Sequence, residues 1–411
     1  MIHHGDSLEV LKTFESNSID ALVTDPPYGL GNTSPANVAA CLQAWISGRD
    51  YQASGSGFMG KEWDSWVPSP NLWKEVYRVL KPGGHGLVFS GSRTEDLMSI
   101  SLRLAGFEVR DRLVWLYGSG FPKSHDVSKA IDKKLGGVRK ILHTETRYNE
   151  PSGLVKVSQG ERVKVERNIT EPATEQAKKY SGFGTALKPA YEPIILVRKP
   201  IDGTVANNVL KHGVGGLNID DCRIATDDDL VRDNPPREAN EDTIFNMKQV
   251  ACHGHPKGRW PANILLDESI NDPLLKRYFY CAKASKAERE AGLDHLNKVS
   301  AGSYEGRADG SLGGPIPQRA NVHPTVKPLS VMRYLCRLIT PPNGTILEPF
   351  AGSGTTLCAA ALEGFEPIGI EREAEYIDII KARLKHWSGG KHDYTDKVEA
   401  KPLSGEQLSL F

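Results

Sequence analysis

The sequence lacks any long apolar run: over 411 residues no stretch approaches the roughly 20 that a membrane span needs, so no membrane association is expected. The opening Met1-Ile2-His3-His4-Gly5-Asp6 has neither a basic nor an apolar leader region, and no signal peptide is expected. Cysteine is scarce. The six (41, 222, 252, 281, 336 and 358) form no Cys-x-x-Cys pair, which argues against a disulfide framework and reads as reduced cytosolic thiols used for packing. Cys252-His253-Gly254-His255 has no second ligand pair at a suitable spacing, so a polar loop is expected there and no metal anywhere. Net charge is missing too, with 51 Lys+Arg against 51 Asp+Glu. That total speaks against a uniformly basic nucleic-acid binder, but the charge is unevenly spread. Residues 118–215 hold 17 Lys+Arg against 10 Asp+Glu. A locally basic segment in a neutral chain is the footprint of a phosphate-binding surface, although solvated loops can look the same. Internal repeats and endonuclease motifs are also missing.

Against this background one stretch stands out. Asp20-Ala21-Leu22-Val23-Thr24 reads as a short buried strand, and it ends in Asp25-Pro26-Pro27-Tyr28-Gly29. Two prolines hold a stiff, extended backbone with free carbonyls. The segment can therefore present the Asp25 carboxylate and the Pro26 carbonyl as acceptors beside the flat Tyr28 ring, a pocket for a planar ring bearing an exocyclic amine. A proline-stopped strand exit explains these residues equally well.

Residues 1–120 alternate strand and helix patterns in the manner of βα units. Gly5-Asp6-Ser7 opens a helix with Ser7 as its expected cap. The Gly/Ser/Asn-rich stretch 30–66 reads as a long loop above the site. A helix Leu72–Leu80 stops at Lys81-Pro82-Gly83-Gly84, a strand Gly86–Ser90 and a helix Leu97–Leu104 follow, and Phe107–Tyr117 reads as another strand. Residues 118–190 form a basic excursion, after which Tyr191–Pro200 is expected to return as an edge strand paired with 107–117. Residues 201–320 read as a second, loop-rich region with a short strand at 262–266. Order returns with an amphipathic helix carrying Leu329, Met332, Leu335, Cys336 and Ile339 on one face.

The strand Thr345–Leu347 then runs into Glu348-Pro349-Phe350-Ala351-Gly352-Ser353-Gly354-Thr355, a glycine turn that opens a helix; the next strand ends at Glu371, 19 residues after Gly352. Strand, glycine turn, helix, strand, acid is the logic of a nucleoside-binding unit, in which amides approach the ligand and the acid accepts from ribose hydroxyls. The full G-x-G-x-x-G pattern and any basic residue are missing from the turn, so an adenosine without a pyrophosphate is expected. A bland glycine-rich corner is the competing reading.

Phe350-Ala351-Gly352-Ser353-Gly354 together with Asp25-Pro26-Pro27-Tyr28 resembles the S-adenosyl-L-methionine-dependent amino-methyltransferases of DNA. The amine-pocket motif preceding the cofactor motif resembles the β class of adenine-N6 and cytosine-N4 enzymes, in texture closest to phage and prophage methylases. The resemblance covers about residues 1–120, 190–200 and 322–387. It implies a doubly wound, Rossmann-like α/β sheet in circularly permuted order, with an inserted loop-rich target-recognition region. It implies S-adenosyl-L-methionine as cofactor, held by Asp6, Asp25, Thr325, Lys327, Glu348, Phe350, Gly352, Gly354, Thr355 and Glu371. Asp25, Pro26, Pro27 and Tyr28 are implied to be catalytic, acting on a base flipped out of double-stranded DNA. Glu348 stands where the family usually has Asp. An acid-led Asp-Pro-Pro-Tyr resembles the adenine enzymes, whereas cytosine-N4 enzymes more often lead with serine; an RNA or protein amine methyltransferase is the further alternative. The implied organisation is an amine-pocket half (1–117), a basic DNA-binding insert (118–190), the edge strand (191–200), a target-recognition region (201–320), a cofactor half (321–387) and a flexible tail (388–411). In that tail Gln407, Leu408, Leu410 and Phe411 resemble a peptide that docks on the bacterial sliding clamp. A homodimer is compatible with the sequence, and the implied location is the cytoplasm, at a bacterial nucleoid or in a phage-infected host.

Overall fold

The computed structural model describes residues 1–31, 33–53, 62–118, 120, 124–149, 163–226, 228, 255–270, 272–282, 288–300, 318–323 and 325–389. Strand β1 (Ile2–His4) leads into helix α1 (Ser7–Leu11), then β2 (Ile19–Thr24), α2 (Pro35–Ile46), α3 (Pro70–Val79), β3 (Leu80–Phe89), α4 (Glu95–Leu104) and β4 (Glu108–Leu116). The basic insert holds α5 (Val127–Leu135), the hairpin β5 (Lys140–Asn149) and β6 (Val163–Glu171), and α6 (Glu175–Lys179). After β7 (Tyr191–Arg198) come α7 (Val205–His212), β8 (Ile264–Asp267), α8 (Pro273–Lys276), β9 (Tyr280–Ala282), β10 (Val299–Ser300) and β11 (Gln318–Arg319). The last quarter supplies α9 (Leu329–Ile339), β12 (Thr345–Glu348), α10 (Thr355–Leu362), β13 (Glu366–Glu371) and α11 (Ala374–Trp387).

Nine strands form one sheet in the order β1-β13-β12-β2-β3-β7-β4-β8-β9. Every pairing is parallel except the two made by β7. Leu347 of β12 pairs with Leu22 of β2, so the last quarter of the chain lies beside the first in mid-sheet, as the permuted order requires. β2 is buried along its whole length, which explains why it reads as a continuous apolar run rather than an alternation. Its Leu22, with Val88 and Leu347, faces α1, α3 and α4; Ala21 and Val23 face the layer of α9, α10 and α11. α10 lies very close to the sheet: a Cβ on Gly369 of β13 would sit 2.4 Å from Leu357 Cδ1.

Three expectations need correction. Residues 191–200 are not an edge: β7 lies between β3 and β4, and β8 continues the sheet by pairing Ile264 with Val114. The far side of β4 is a row of unpaired amides and carbonyls, and the short apolar run of β8 satisfies it. Part of 201–320 is therefore main sheet rather than a separate loop region. Second, 30–66 is not all loop. α2 starts at Ser34-Pro35, Ser34 Oγ accepts the Asn37 amide at 3.4 Å, and Cys41 and Trp45 are buried. Cap, proline and a three-to-four spacing of Val38, Cys41, Leu42 and Trp45 were the helix signals, diluted by the Gly/Ser/Asn content around them. Third, the cap of α1 is Asp6, whose Oδ1 accepts from Leu8 and Glu9 at 3.0 and 3.3 Å. Ser7 instead donates to the Pro349 carbonyl at 2.5 Å, tying α1 to the glycine turn.

Candidate active site

Parallel strands deliver the residues at their carboxyl ends to one side of the sheet. Those ends of β2 and β12 therefore bring residues 25–29 and 348–355 to a common cleft of about 710 Å³. Asp6, Asp25, Pro26, Pro27, Tyr28, Thr325, Lys327, Glu348, Phe350, Gly352, Thr355 and Glu371 all line it. Of the residues expected at the site, Gly354 does not. It is the left-handed N-cap of α10 (φ +76°), backed by Ile380, and its work is to turn the chain.

The two motifs are joined by one carboxylate. Glu348 Oε1 accepts from the Thr24 hydroxyl at 2.5 Å and the Phe350 amide at 3.0 Å; its Oε2 accepts from the Thr356 hydroxyl at 2.8 Å and the Asp25 amide at 3.3 Å. With 1% exposure and four hydrogen bonds to its own chain, Glu348 braces the junction from the wall of the cleft. Burial pushes this carboxyl up to about 8, against the lowering effect of those hydrogen bonds.

Asp25 is held in place by Lys327, far away in sequence, and by its near neighbour Tyr28. Lys327 Nζ lies 2.8 and 2.7 Å from its two oxygens, and the Tyr28 hydroxyl lies 2.9 Å from Oδ1. The same hydroxyl is 2.9 Å from Glu192 Oε2, and Lys327 Nζ is 3.3 Å from that oxygen. Burial acts to lower the Lys327 pKa, but Asp25 and Glu192 more than reverse this and raise it. Lys327, expected at the cofactor, is thus bonded to Asp25 and Glu192. The Pro26 carbonyl accepts no hydrogen bond among the described residues and remains available as an acceptor.

The loop carrying these groups is pinned from outside. Buried Asp64 takes the Tyr28 and Gly29 amides on Oδ1 at 2.7 and 3.1 Å, and Thr94 donates to the Tyr28 carbonyl at 2.5 Å. Gly29 has φ +66°, and a Cβ there would meet the Val67 nitrogen at 2.6 Å.

On the other side of the cleft, Glu371 Oε2 accepts the Gly352 amide at 2.7 Å and Oε1 the Glu373 amide at 2.8 Å. Glu371 also lines the cleft. Gly352 (φ +54°) has the His323 imidazole against it, where a Cβ would lie 2.7 Å from Nε2. Burial holds His323 down at about 4, and its Nδ1–H donates to the Thr325 carbonyl. Buried Arg383 fixes the rest of the turn through the Ser353 carbonyl and the Ser353 and Thr355 hydroxyls. Sequence reading missed Glu192, Asp64 and Arg383. Glu192 left one signal, an acid next to the start of an otherwise apolar strand.

Residues 19–382 match the family model described as DNA methylase, which takes in both N6 and N4 enzymes. The chain belongs to this DNA methylase family. The type II methyltransferase M.HindIII of Haemophilus influenzae is 24% identical over 407 residues, covering 93% of this chain and 94% of its own. The type II methyltransferase M.HinfI of the same species is 39% identical over a shorter stretch of 71 residues, 17% of this chain and 20% of its own. Among solved structures, a DNA modification methylase of Thermus thermophilus complexed with S-adenosyl-L-methionine aligns at 17% identity and TM-score 0.37, over 95% of this chain and 96% of that one. The cytosine-N4-specific PvuII methyltransferase aligns at 15% and 0.41, over 93% and 85%. Scores this low add nothing to the fold already described. This DNA methylase presents no group of three or more His, Cys, Asp or Glu able to hold a metal ion among its described residues. No described helix is long and apolar enough to cross a membrane. Cys252 to Gly254 and the tail peptide 407–411 lie outside the described residues.

Proposed function

We propose that this DNA methylase is site-specific and transfers the methyl group of S-adenosyl-L-methionine to the exocyclic N6 amine of adenine in double-stranded DNA. The observation that carries the reading is the shared cleft, with an amine-accepting Asp25 and a nucleoside-type turn braced to each other by Glu348.

The residues on the cofactor side fit the group. The glycine turn at Gly352 is held open by its amide bond to Glu371, and Glu371, Asp6 and Thr325 line the same cleft. When bound, S-adenosyl-L-methionine supplies a methyl group on a sulfonium, a leaving group that needs no further activation. The protein's task is at the nucleophile. An exocyclic amine has its lone pair delocalised into the ring. Hydrogen bonds from its two N–H groups to Asp25 and the Pro26 carbonyl favour a pyramidal nitrogen, and the Asp25 charge stabilises the positive nitrogen that develops. Positioning supplies most of the remaining acceleration. Inside a duplex the amine is out of reach, so the base enters the cleft flipped out, against the Tyr28 ring and between the prolines and the wall opposite.

The basic insert 118–190 and the stretches of 201–320 outside the sheet are the proposed DNA-contacting and target-recognition parts, with Lys and Arg on phosphates. An acid-led tetrapeptide supports adenine over cytosine. The tail residues Gln407, Leu408, Leu410 and Phe411 are proposed to dock on a sliding clamp; clamp affinity unchanged by removing 407–411 sinks that part.

The test is incubation with labelled cofactor and unmethylated genomic DNA, followed by digestion to nucleosides. Label in N6-methyladenine is expected. Label in N4-methylcytosine reassigns the base, and label in RNA or protein rejects DNA as the substrate. Asp25→Ala is expected to abolish transfer with cofactor binding retained.

A further inference from the structure

Glu192 is the second residue of β7 and reaches the cleft from the antiparallel strand, opposite Trp115 of β4. Its side chain is 23% exposed, against 19% for Asp25 and 9% for Lys327. Around Tyr28 the four side chains form a closed cluster of one cation and two carboxylates, with a formal charge of minus one. Their proton count does not close either. The ammonium has three protons for Asp25 Oδ1, Asp25 Oδ2 and Glu192 Oε2. The Tyr28 hydroxyl has one proton but stands 2.9 Å from an oxygen of each carboxylate. One of those two contacts lacks a donor, so the cluster has an acceptor position open for an incoming N–H.

Without Glu192, Lys327 and Asp25 cancel one to one, both available donors fall on Asp25, and no negative charge is left to meet a developing cation. Glu192 removes that cancellation. Resting on the amine-methylation reading above, we propose that Glu192 is a positioning residue for methyl transfer: it takes the Tyr28 hydroxyl and the Lys327 ammonium when the substrate amine donates to Asp25, leaving Asp25 charged and accessible. It acts through Tyr28 and Lys327. Both partners already lie within reach of the one oxygen, so the exchange needs only a shift in how the protons are shared. Tyr117, His323 and Glu348 are the other titratable side chains in the field of this cluster.

A structural counter-ion role for Glu192 makes a different prediction from a charge-balancing role, and a double variant separates them. Glu192→Gln is expected to lower kcat about 100-fold, with the dissociation constant for S-adenosyl-L-methionine within about two-fold of the parent. Adding Lys327→Met restores the charge of minus one and is expected to recover about ten-fold of the lost kcat at saturating cofactor, whereas a structural role predicts a further loss. Lys327→Met in the parent background gives a second readout that does not need Glu192→Gln to fold. It leaves Asp25 charged and released from its cation, so kcat is expected to stay within about ten-fold of the parent. Thermal unfolding and cofactor binding establish that each variant is folded. With an active parent, a folded Glu192→Gln variant of near-parental kcat, no recovery in the double variant, or a loss of about 100-fold in Lys327→Met alone overturns the proposal. A parent that methylates no DNA base overturns the functional reading itself.

Discussion

Thr24 and Glu348, 324 residues apart, meet at 2.5 Å through a buried hydroxyl and a buried carboxyl oxygen, and that contact fastens the loop after β2 to the glycine turn. The carboxyl concerned sits at about 8 instead of its ordinary 4.5, burial being the larger influence. A folded state that keeps this proton to a higher pH than the unfolded chain binds more protons between about 4.5 and 8. Its stability contribution is complete below that window and is lost as pH rises through it, with a slope of up to about 1.4 kcal/mol per pH unit. Glu348→Gln removes the titration and should flatten the fall. Urea midpoints for parent and variant at pH 5, 6.5 and 8 check this; parallel profiles would show that Glu348 titrates normally.

Gly352 should tolerate no side chain. Alanine there must adopt a left-handed φ near +54° and place its Cβ 2.7 Å from His323 Nε2, while the Gly352 amide stays tied to Glu371. The conformational cost is about 1–2 kcal/mol before any clash. Gly352→Ala is expected to weaken S-adenosyl-L-methionine binding about ten-fold or more, since 1.4 kcal/mol is a factor of ten. Calorimetric titration measures it, and circular dichroism confirms the fold. An unchanged affinity would place the cofactor away from this turn.

The parts legible in the sequence are those in which physics is local. A buried strand stopped by two prolines, and a strand, glycine turn and helix, each declare themselves within about ten residues, and two such units in a permuted order fixed the expected fold. Burial on both faces makes β2 and β12 unmistakable. What could not be read is what joins distant segments. Nothing near Asp25 shows that Lys327, 302 residues later, will neutralise it, or that Glu192 will share the cation. β8 and β9 were obscured because three or four residues carry too little pattern to show that they extend the main sheet. α2 was hidden by the glycine, serine and asparagine on either side, though its cap and spacing were there to be seen.

Asp64 should matter to turnover without touching the substrate. It is 3% exposed and accepts the amides of Tyr28 and Gly29, so Asp64→Ala strands two donors in the loop that carries Asp25. Leaving buried donors unsatisfied costs about 1–3 kcal/mol each. Loosening the loop displaces the Asp25 carboxylate, and a misplacement of about 1 Å can cost on the order of 100-fold in rate. The expected outcome is a kcat reduced by ten-fold or more, on the order of that misplacement cost, with cofactor affinity held, because the Glu371 side of the cleft is untouched. Asp64→Asn keeps an acceptor oxygen and should restore most of the activity. Equal losses in the two variants would mean that the charge, rather than the hydrogen bonds, is what the loop needs.

Lys133 and Lys134 test the basic insert as a DNA surface. Both are exposed in the last turn of α5, on the helix whose buried Asp132 fastens the insert together through Arg139 and Thr174. Lysines on phosphates act through counterion release, which is blind to sequence and steep in salt. Each Lys→Ala change should therefore weaken specific and non-specific duplexes alike, and should lower the slope of log K against log salt by about 0.9. Fluorescence anisotropy between 50 and 200 mM salt reads both quantities, and kcat at saturating DNA should stay at the parental value because neither lysine reaches the cleft. A salt slope unchanged in the double alanine variant would take the DNA path off this face of the insert. A loss confined to one sequence would instead mean that these side chains read bases.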